Sequence, residues 1–236
     1  MPEKRVSLPA RHELKYFINP GELAALRQRL LPVLELDDHC VDGKPYIIRS
    51  LYFDDIDDSA FYEKLGGGMH RDKYRIRIYR YSNKEIFLER KRKLGDLIQK
   101  SSVRINLRQC EQLMAGDPRG LQNSSNPLLN DVYVLMRTRL LRPKVIVDYA
   151  REAYLHPAED VRITFDMNLR SGLASTDLFN PDLLTVNPHD RDVQILEVKF
   201  NNYLPDYIAK LLSGIDAERS AISKYVLCRR FEPLGR

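Results

Sequence analysis

The chain has little cysteine and no long apolar run. Its three cysteines (Cys40, Cys110 and Cys228) are far apart, odd in number and without C-x-x-C spacing. Neither a disulfide framework nor a zinc site is indicated, so we expect reduced thiols in a cytoplasmic protein. No stretch approaches the roughly 18–20 apolar residues that would cross a bilayer, and the N-terminal sequence M-P-E-K-R-V-S-L-P-A has no apolar signal segment. We expect any attachment to a membrane to need a partner.

Several signatures of catalysis and of nucleic-acid binding are also missing. The five histidines form no recognisable Ser-His-Asp or Cys-His arrangement. The three adjacent glycines at 66–68 are not followed by G-K-[ST] or by a helix start, so they indicate a flexible hairpin connection rather than a phosphate loop. The aromatic residues do not form R-x-F-x-F clusters, which disfavours an RNA-binding barrel, and we expect no nucleic-acid partner.

Length and composition favour a single domain. The 236 residues are 43% hydrophobic, which is enough for one sizeable core, and we expect residues 1–236 to form one domain. The formal net charge of +5 is a modest excess. It favours polyanionic partners.

Six short segments place Lys, Arg or Glu at every second residue, with apolar residues between them. In a strand, residues i and i+2 share a face, so each segment has one charged and one apolar face. Solvated strand faces usually carry Thr, Ser, Gln and mixed charges, whereas these charged sets are mostly cationic. The pattern predicts an α+β protein built on a closed antiparallel β-barrel lined with positive charge. The segments are R-H-E-L-K-Y (Arg11, Glu13, Lys15), K-Y-R-I-R-I-Y (Lys73, Arg75, Arg77), F-L-E-R-K (Glu89, Lys91), K-S-S-V-R-I (Lys100, Arg104), V-R-I-T-F-D (Arg162, Asp166) and L-E-V-K-F (Glu197, Lys199).

Helices and loops are expected between these strands. The sequence N-P-G-E after the first segment opens a helix, with Asn19 as N-cap, Pro20 at N1 and Glu22 completing a capping box. Residues 116–127 form a loop by composition, and the irregular stretch 170–190 is either a functional lid or disordered. Further strands are predicted at 46–55, 73–80, 85–92, 98–107, 144–151, 160–167 and 192–200, and further helices before Gly66 and at 128–141, 205–213 and 219–229.

The charged strand faces are expected to point inward. At least three helices carry apolar faces, and the uncharged strand faces are the only surface for them to cover. Two like charges about 6 Å apart repel by roughly 3 kcal/mol at an effective dielectric of about 20, so several such pairs would exceed a domain's stability of about 5–15 kcal/mol. Compensation must come from Glu13, Glu89 and Glu197, from water or from a bound polyanion. A wet lumen that holds multivalent phosphate satisfies all three conditions.

The segments together resemble the VTC-type polyphosphate polymerase domain of the CYTH, or triphosphate-tunnel, superfamily. Each motif is weak alone, but the set runs in family order from about residue 9 to residue 228. The matching elements are R-H-E-L-K-Y, S-L-Y-F-D-D, K-Y-R-I-R-I-Y, F-L-E-R-K-R-K, K-S-S-V-R, V-D-Y-A-R-E-A-Y, V-R-I-T-F-D, L-E-V-K-F and I-S-K-Y.

The resemblance implies a tunnel in which cations bind ATP and inorganic polyphosphate beside a divalent metal, Mn²⁺ or Mg²⁺. The metal-binding glutamate corresponds to Glu197, and Ser223 would add a hydroxyl group to a phosphate. Three assignments (Arg151, Ser223 and Lys224) rest on the resemblance alone. The phosphate-binding cations correspond to Lys15, Arg75, Arg77, Lys91, Lys100, Arg151, Arg162 and Lys224, and further substrate contacts are expected from Arg11, Glu13, Glu89, Arg104, Lys199 and Ser223.

The implied reaction transfers the γ-phosphate of ATP to a growing polyphosphate chain. Such transfer relies on positioning and charge neutralisation, and the ionised end of the chain needs no general base. Hydrolases of the superfamily carry E-x-E-x-K on the first strand, whereas Arg11 replaces the first glutamate here, which favours the polymerase. Glu13 and Glu89 would still allow a second metal and hydrolysis. The alternatives are therefore a tripolyphosphatase or nucleoside triphosphatase, and a non-catalytic polyphosphate-binding module.

Overall fold

The computed structural model describes residues 6–7, 11–156, 160–189, 193–216 and 219–230. Its strands are β1 (Val6–Ser7), β2 (His12–Ile18), β3 (Glu35–Leu36), β4 (Tyr46–Asp54), β5 (His70–Tyr79), β6 (Ile86–Leu94), β7 (Leu97–Ile105), β8 (Arg142–Leu155), β9 (Arg162–Ser171) and β10 (Gln194–Phe200). They form one antiparallel sheet in the order β1-β7-β6-β5-β4-β8-β9-β10-β2, and β3 pairs with β8 outside this path. The strands predicted from charge alternation are all present.

The two ends of this path meet at one point. β1 and β2 lie at opposite ends, and an isolated antiparallel bridge joins Arg11 to Ile98 of β7, with both N···O distances at 3.1 Å. The sheet therefore curls into a barrel that is not fully closed, which corrects the prediction of a closed one. Of the described residues before Arg11, two pair with β7, namely Val6 and Ser7.

The helices are α1 (Pro20–Leu30), α2 (Ser59–Leu65), α3 (Leu107–Met114), α4 (Pro127–Thr138), α5 (Asp206–Leu211) and α6 (Lys224–Arg229). The predicted capping box at α1 is confirmed, since Asn19 Oδ1 accepts from the Glu22 amide (2.9 Å) and Glu22 Oε2 accepts from the Asn19 amide (2.8 Å). Among the described helices, none is both long and apolar enough to cross a membrane.

Four helices cover the outer face of the barrel with their apolar sides. Leu23, Leu26 and Leu30 of α1, with Ile208 of α5, bury the outer side chains of β9, β10 and β2. In the same way, α3 and α4 cover β4–β7 in a second cluster. Because the helices cover the apolar strand faces, the charged faces point into the barrel interior, as predicted. The buried outer strand residues include Leu51, Ile76, Ile78, Leu88, Val103, Ile163, Phe165, Leu196 and Val198.

The last helix differs from the expected outer packing. Tyr225 and Cys228 of α6 lie in a cluster with Val147, Tyr149 and Ile195, which belong to the inward side of the sheet. The α6 helix is also shorter than predicted, because it begins only at residue 224. It therefore fills part of the barrel interior and carries polar residues into the remaining space.

The stretch at 170–190 packs against the outside of the sheet. Leu178 is fully buried in the cluster beneath α3 and α4. Arg49, which is 1% exposed, donates to both carboxylate oxygens of Asp148 (2.7 and 2.6 Å) and to the carbonyls of Leu178 and Asn180. The described part of this stretch, up to residue 189, does not line the cavity described below. The prediction of a lid or a disordered segment is therefore corrected.

Replacing Arg49 by Met is expected to lower the free energy of unfolding by about 3–5 kcal/mol, because it leaves the Asp148 carboxylate buried without its partner. Denaturant titration measures this change, with Arg108→Met on the exposed end of α3 as the control. A loss of less than about 1 kcal/mol, typical of exposed ion pairs, would contradict the buried position of the pair.

Candidate functional site

The inward side chains of β2 and β4–β10, together with residues 219–225, enclose a cavity of about 530 Å³. Its wall carries fifteen Lys and Arg residues against four Asp and Glu residues. This excess inside one enclosed volume produces a strong positive potential. The cavity is therefore suited to a multivalent anion.

Glu197 lies at the centre of one group of cations. Its carboxylate contacts the ammonium groups of Lys15 (3.1 Å), Lys199 (2.8 Å) and Lys224 (2.7 Å), and the guanidinium of Arg151 lies 3.6 Å away. Burial opposes ionisation of this carboxyl, but these cations hold its pKa well below the usual range. Glu197 is thus a fixed negative charge that keeps four cations close together.

Asp166 forms ion pairs with two of the same cations, although it does not itself line the cavity. It is 1% exposed and receives two hydrogen bonds from Arg151 (2.6 and 2.7 Å) and one contact from Lys224 (2.5 Å). Arg151 Cζ also lies 5.2 Å, and Lys224 Nζ 5.0 Å, from the ring centroid of Tyr149. The bidentate pair fixes the plane of the Arg151 guanidinium.

A second group forms around Glu89 on β6. Arg75 (2.7 Å) and Lys100 (2.5 Å) contact its carboxylate, and Arg77 Nε lies 3.7 Å from it, too far for a hydrogen bond. Burial lowers the pKa of Lys100 to about 8, although Glu89 opposes this shift. Arg77 Nε is buried and has no hydrogen-bond partner among the described residues. An unpaired buried donor is costly, and an anion in the cavity would satisfy it.

Glu13 adds Lys91 to the group around Glu197. Its carboxylate accepts two hydrogen bonds from Lys91 (2.7 and 2.8 Å) and lies 3.1 Å from Lys15. Burial would raise the pKa of Glu13, but Lys91 and Lys15 hold it below its usual range. Because Lys15 Nζ is 3.1 Å from an oxygen of both Glu13 and Glu197, one ammonium bridges the two carboxylates.

The remaining predicted residues lie at the edges of the cavity, with one exception. Arg162 contacts Asp37 (2.9 Å), Arg11 forms the backbone bridge to Ile98 of β7, and Ser223 accepts from Lys73 (2.7 Å). Arg104 does not line the cavity. It shares a face with Lys100, but it lies near the end of β7, where its side chain is exposed and donates to the Lys84 carbonyl.

The predicted metal ligands fit this geometry only in part. Among the described residues, no group of three or more His, Cys, Asp or Glu side chains could hold a metal ion. Glu13 and Glu197 face the same space, but Lys15 lies between them. Magnesium is often bound by only one or two carboxylates, with phosphate oxygens and waters completing its shell. The residues therefore fit a metal that binds together with a phosphate substrate, and they do not fit one held by protein side chains alone.

Some residues of the site were not selected from the sequence. The two-residue spacing placed Lys73 and Asp166 on the charged strand faces, but neither was among the residues expected to bind substrate or metal. Lys64 lies on α2, where no alternation exists to identify it. Arg71 and Lys93 extend the charged faces of β5 and β6 by one further position each.

The antiparallel barrel with outer helices and a cation-lined interior defines the triphosphate-tunnel class of proteins. The sequence profile of the VTC domain matches residues 10–231, and the chain belongs to this family. The resemblance noted from the motifs is thereby confirmed. Comparison with curated proteins gives no match.

Two solved structures share the fold. One is the putative adenylyl cyclase HpAC1 from Hippeastrum, described as having a dominant triphosphatase activity, with 15% identity and a TM-score of 0.56 over 95% of this chain and 98% of that chain. The other is a putative adenylate cyclase from Bacillus halodurans, with 11% identity and a TM-score of 0.51 over 86% of this chain and 84% of that chain. At these identities the likeness shows the fold alone.

Proposed function

We propose that this protein is a metal-dependent polyphosphate polymerase that transfers the γ-phosphate of ATP to the end of an inorganic polyphosphate chain inside the cavity. The observation that carries the proposal is the excess of cations in an enclosed space where every carboxylate of the two central groups is already paired. One of the cationic donors, Arg77 Nε, has no hydrogen-bond partner among the described residues.

Phosphoryl transfer requires little covalent chemistry from the protein itself. The bond between the γ-phosphorus and the bridging oxygen of ATP breaks, a bond to a terminal oxygen of the chain forms, and ADP leaves. The acceptor oxygen is already ionised, so no side chain has to remove a proton. Arg75, Arg77 and Lys100 on one wall, with Arg151 and Lys224 on the other, would hold the phosphates in line and neutralise the charge that spreads over the transferring group.

A metal bound with the substrate would neutralise phosphate charge. Glu197 and Glu13 are the residues that would hold it, after Lys15 moves from between them toward phosphate. Lys15 has three donors and needs only one carboxylate partner at a time.

The second candidate is a triphosphatase of the same fold. It is favoured by Glu13 and Glu89, which give the cavity carboxylates beyond Glu197, and by the activity described for the Hippeastrum protein. In that reaction water replaces the phosphate chain as the acceptor. The two proposals share the binding site and differ only in the acceptor.

ATP labelled at the γ-phosphate distinguishes the candidates. A polymerase should transfer label into acid-precipitable long chains, with release of ADP in excess over orthophosphate. A hydrolase should release one labelled orthophosphate for each ADP. Equal amounts of ADP and labelled orthophosphate, with no labelled polymer, would contradict the proposed polymerase.

Phosphate binding is expected to take up a proton at Lys100. With its pKa at about 8 in the free protein, half of the Lys100 population is neutral at that pH. A bound anion favours the charged form, so binding at pH 8 should be accompanied by uptake of about half a proton at this residue. Calorimetry in buffers of different ionisation enthalpy measures the uptake.

Lys100→Arg provides the matched control for this measurement. Arginine stays charged at this pH, so the variant should bind tripolyphosphate while taking up about half a proton less than the parent protein. Equal proton uptake by both proteins would show that Lys100 is fully charged before binding.

A further inference from the structure

The start of α6 carries two residues of the cavity wall, Ser223 as its N-cap and Lys224 as its first residue. The helix has only six residues. Helices of this length are not stable by themselves, so tertiary contacts must fix their position. The place of the Lys224 ammonium in the cavity, 2.7 Å from Glu197, therefore depends on the contacts that hold α6.

Asp54, the last residue of β4, holds α6 at Tyr225. It is 2% exposed and does not line the cation-lined cavity. Its Oδ2 accepts from the hydroxyl group of Tyr225 at 2.5 Å. The amides of Asp55 and Ala60 donate to Oδ1 (3.0 and 2.9 Å), and the amide of Phe61 donates to Oδ2 (3.0 Å). Because three backbone amides fix the carboxylate, it offers the hydroxyl group an acceptor at a fixed position.

The ring of Tyr225 connects this anchor to both central groups of cations. It is 1% exposed and stacks on Tyr52, with 5.3 Å between the ring centroids and an interplanar angle of 28°. The Tyr52 hydroxyl accepts from Arg75 Nη1 at 2.8 Å. Tyr225 is thus joined to Arg75 through Tyr52 and to Lys224 through the backbone. One side chain therefore influences the position of a cation in each central group.

A second set of contacts holds the other end of α6. Arg229 donates to both carboxylate oxygens of Asp58 (2.8 and 3.1 Å), and Lys144 contacts the same carboxylate at 2.9 Å. Arg229 Nη1 also donates to the Tyr225 hydroxyl at 3.0 Å. Loss of that hydroxyl group leaves the ion pairs of Asp58 in place. The helix should then stay in the barrel while its first turn loses its fixed position.

We propose that Asp54 and Tyr225 are positioning residues, whose hydrogen bond places one cation of each central group against the phosphates of the substrate. The two cations are Lys224 and Arg75. The inference rests on the proposed function for the identity of the ligand. Asp54 acts without lining the cavity, and the Tyr225 hydroxyl is occupied by Asp54 and Arg229. Burial and the neighbouring Asp54 raise the pKa of Tyr225, so the hydroxyl group keeps the proton that it donates.

Tyr225→Phe tests the inference, because it keeps the ring that stacks on Tyr52 and removes only the hydroxyl group. Its affinity for tripolyphosphate is expected to fall about tenfold, as for the loss of one charge-assisted contact at Lys224. The kcat for ATP is expected to fall about a hundredfold, since a displacement of about 1 Å in a positioned group can cost this much in rate. Calorimetry and steady-state kinetics measure the two losses.

Tyr154→Phe is the matched control. Tyr154 is also 1% exposed and donates its hydroxyl to a carboxylate, that of Glu152 (2.6 Å), but it lies in the outer cluster beneath α1 and does not line the cavity. The two variants should lose similar amounts of melting temperature. Only Tyr225→Phe should change the affinity for tripolyphosphate and the kcat.

Hydrogen exchange gives a readout that does not depend on activity. The Leu227 amide donates to the Ser223 carbonyl at 2.9 Å, within the first turn of α6. Its exchange should be about tenfold faster or more in Tyr225→Phe than in the parent protein, and unchanged in Tyr154→Phe. Parent-like exchange together with parent-like affinity and kcat in Tyr225→Phe would overturn the inference. So would losses of affinity and kcat in Tyr154→Phe that equal those of Tyr225→Phe.

Asp54→Asn identifies the partner of the hydroxyl group. If Asp54 and Tyr225 act through one bond, their effects are not additive. The affinity of Asp54→Asn/Tyr225→Phe for tripolyphosphate should then lie within about twofold of that of Asp54→Asn alone. Additive losses would refute the assignment of Asp54. The result for Tyr225→Phe decides the inference by itself if Asp54→Asn does not fold.

The outcomes separate this inference from the proposed function. A parent protein that hydrolyses ATP without making polymer, and whose Tyr225→Phe variant shows the selective losses, would refute the polymerase and support the positioning residues. A parent protein that makes polymer, and whose Tyr225→Phe variant does so at the same rate, would support the polymerase and refute the positioning residues.

Discussion

Replacing Glu197 by Gln is expected to lower the free energy of unfolding of the free protein by about 3–5 kcal/mol. The carboxylate contacts Lys15, Lys199 and Lys224 and lies 3.6 Å from Arg151, so its loss leaves buried cations facing one another. Tripolyphosphate should restore much of this stability, because a bound anion replaces the missing charge. Denaturant titrations with and without tripolyphosphate measure both effects.

The same variant should lose metal-dependent turnover of ATP without tripolyphosphate, under conditions in which the denaturant titrations show that the variant is folded. Glu35→Gln, the same change at an exposed position on β3, serves as the control and should alter neither property. If Glu197→Gln had the stability of the parent protein and the same response to tripolyphosphate, Glu197 would not be the charge that holds the four cations together.

Replacing Arg151 by Lys is expected to lower the turnover of ATP about a hundredfold, although the positive charge is kept. The guanidinium is fixed by two hydrogen bonds to Asp166, and a lysine cannot form this planar bidentate pair. A displacement of about 1 Å in a positioning group can cost about a hundredfold in rate. Steady-state kinetics should show the loss mainly in kcat.

Arg92→Lys is the matched control for this substitution. Arg92 forms an equally close bidentate pair with Asp72 (2.8 and 2.6 Å), but it lies outside the cation-lined cavity. Its replacement should leave turnover within about twofold of the parent protein, as expected for an ion pair that is partly exposed. Similar losses in the two variants would show that stability, rather than positioning at the site, explains the effect.

The charge alternation predicted the strands because its period of two is independent of tertiary contacts. The same reasoning predicted the direction of the charged faces, since Leu23, Leu26 and Leu30 of α1 require an apolar surface and the uncharged strand faces provide it. The capping box at Asn19 could also be predicted, because its contacts join residues only three positions apart in the sequence.

Other features could not be derived in this way. The α3 helix was missed, although Asn106 and Gln109 form a capping box of the same kind, because the preceding strand was extended to residue 107. The inward packing of α6 depends on contacts with Val147 and Ile195, which are distant in sequence. Incomplete closure of the barrel was missed because charge alternation gives the face of each strand residue and does not give how many residues pair between the first and last strands.

The residues of the site could also be predicted only in part. Lys15, Arg75, Lys91 and Lys100 were selected because they lie on alternating strands, and they line the cavity. Arg104 has the same alternation but lies near the end of its strand, outside the cavity. Alternation predicts which face of the sheet a residue lies on, but it does not predict the position of the residue along the barrel axis. The function of the predicted residues stays a prediction until it is tested.

The most direct test of the account is to incubate the purified protein with ATP and Mn²⁺ and to follow the products by phosphorus NMR. A polymerase should give growth of a resonance from internal phosphate units, together with ADP and little orthophosphate. Orthophosphate and ADP in equal amounts, without an internal-phosphate resonance, would contradict the polymerase and assign the cavity to a triphosphatase.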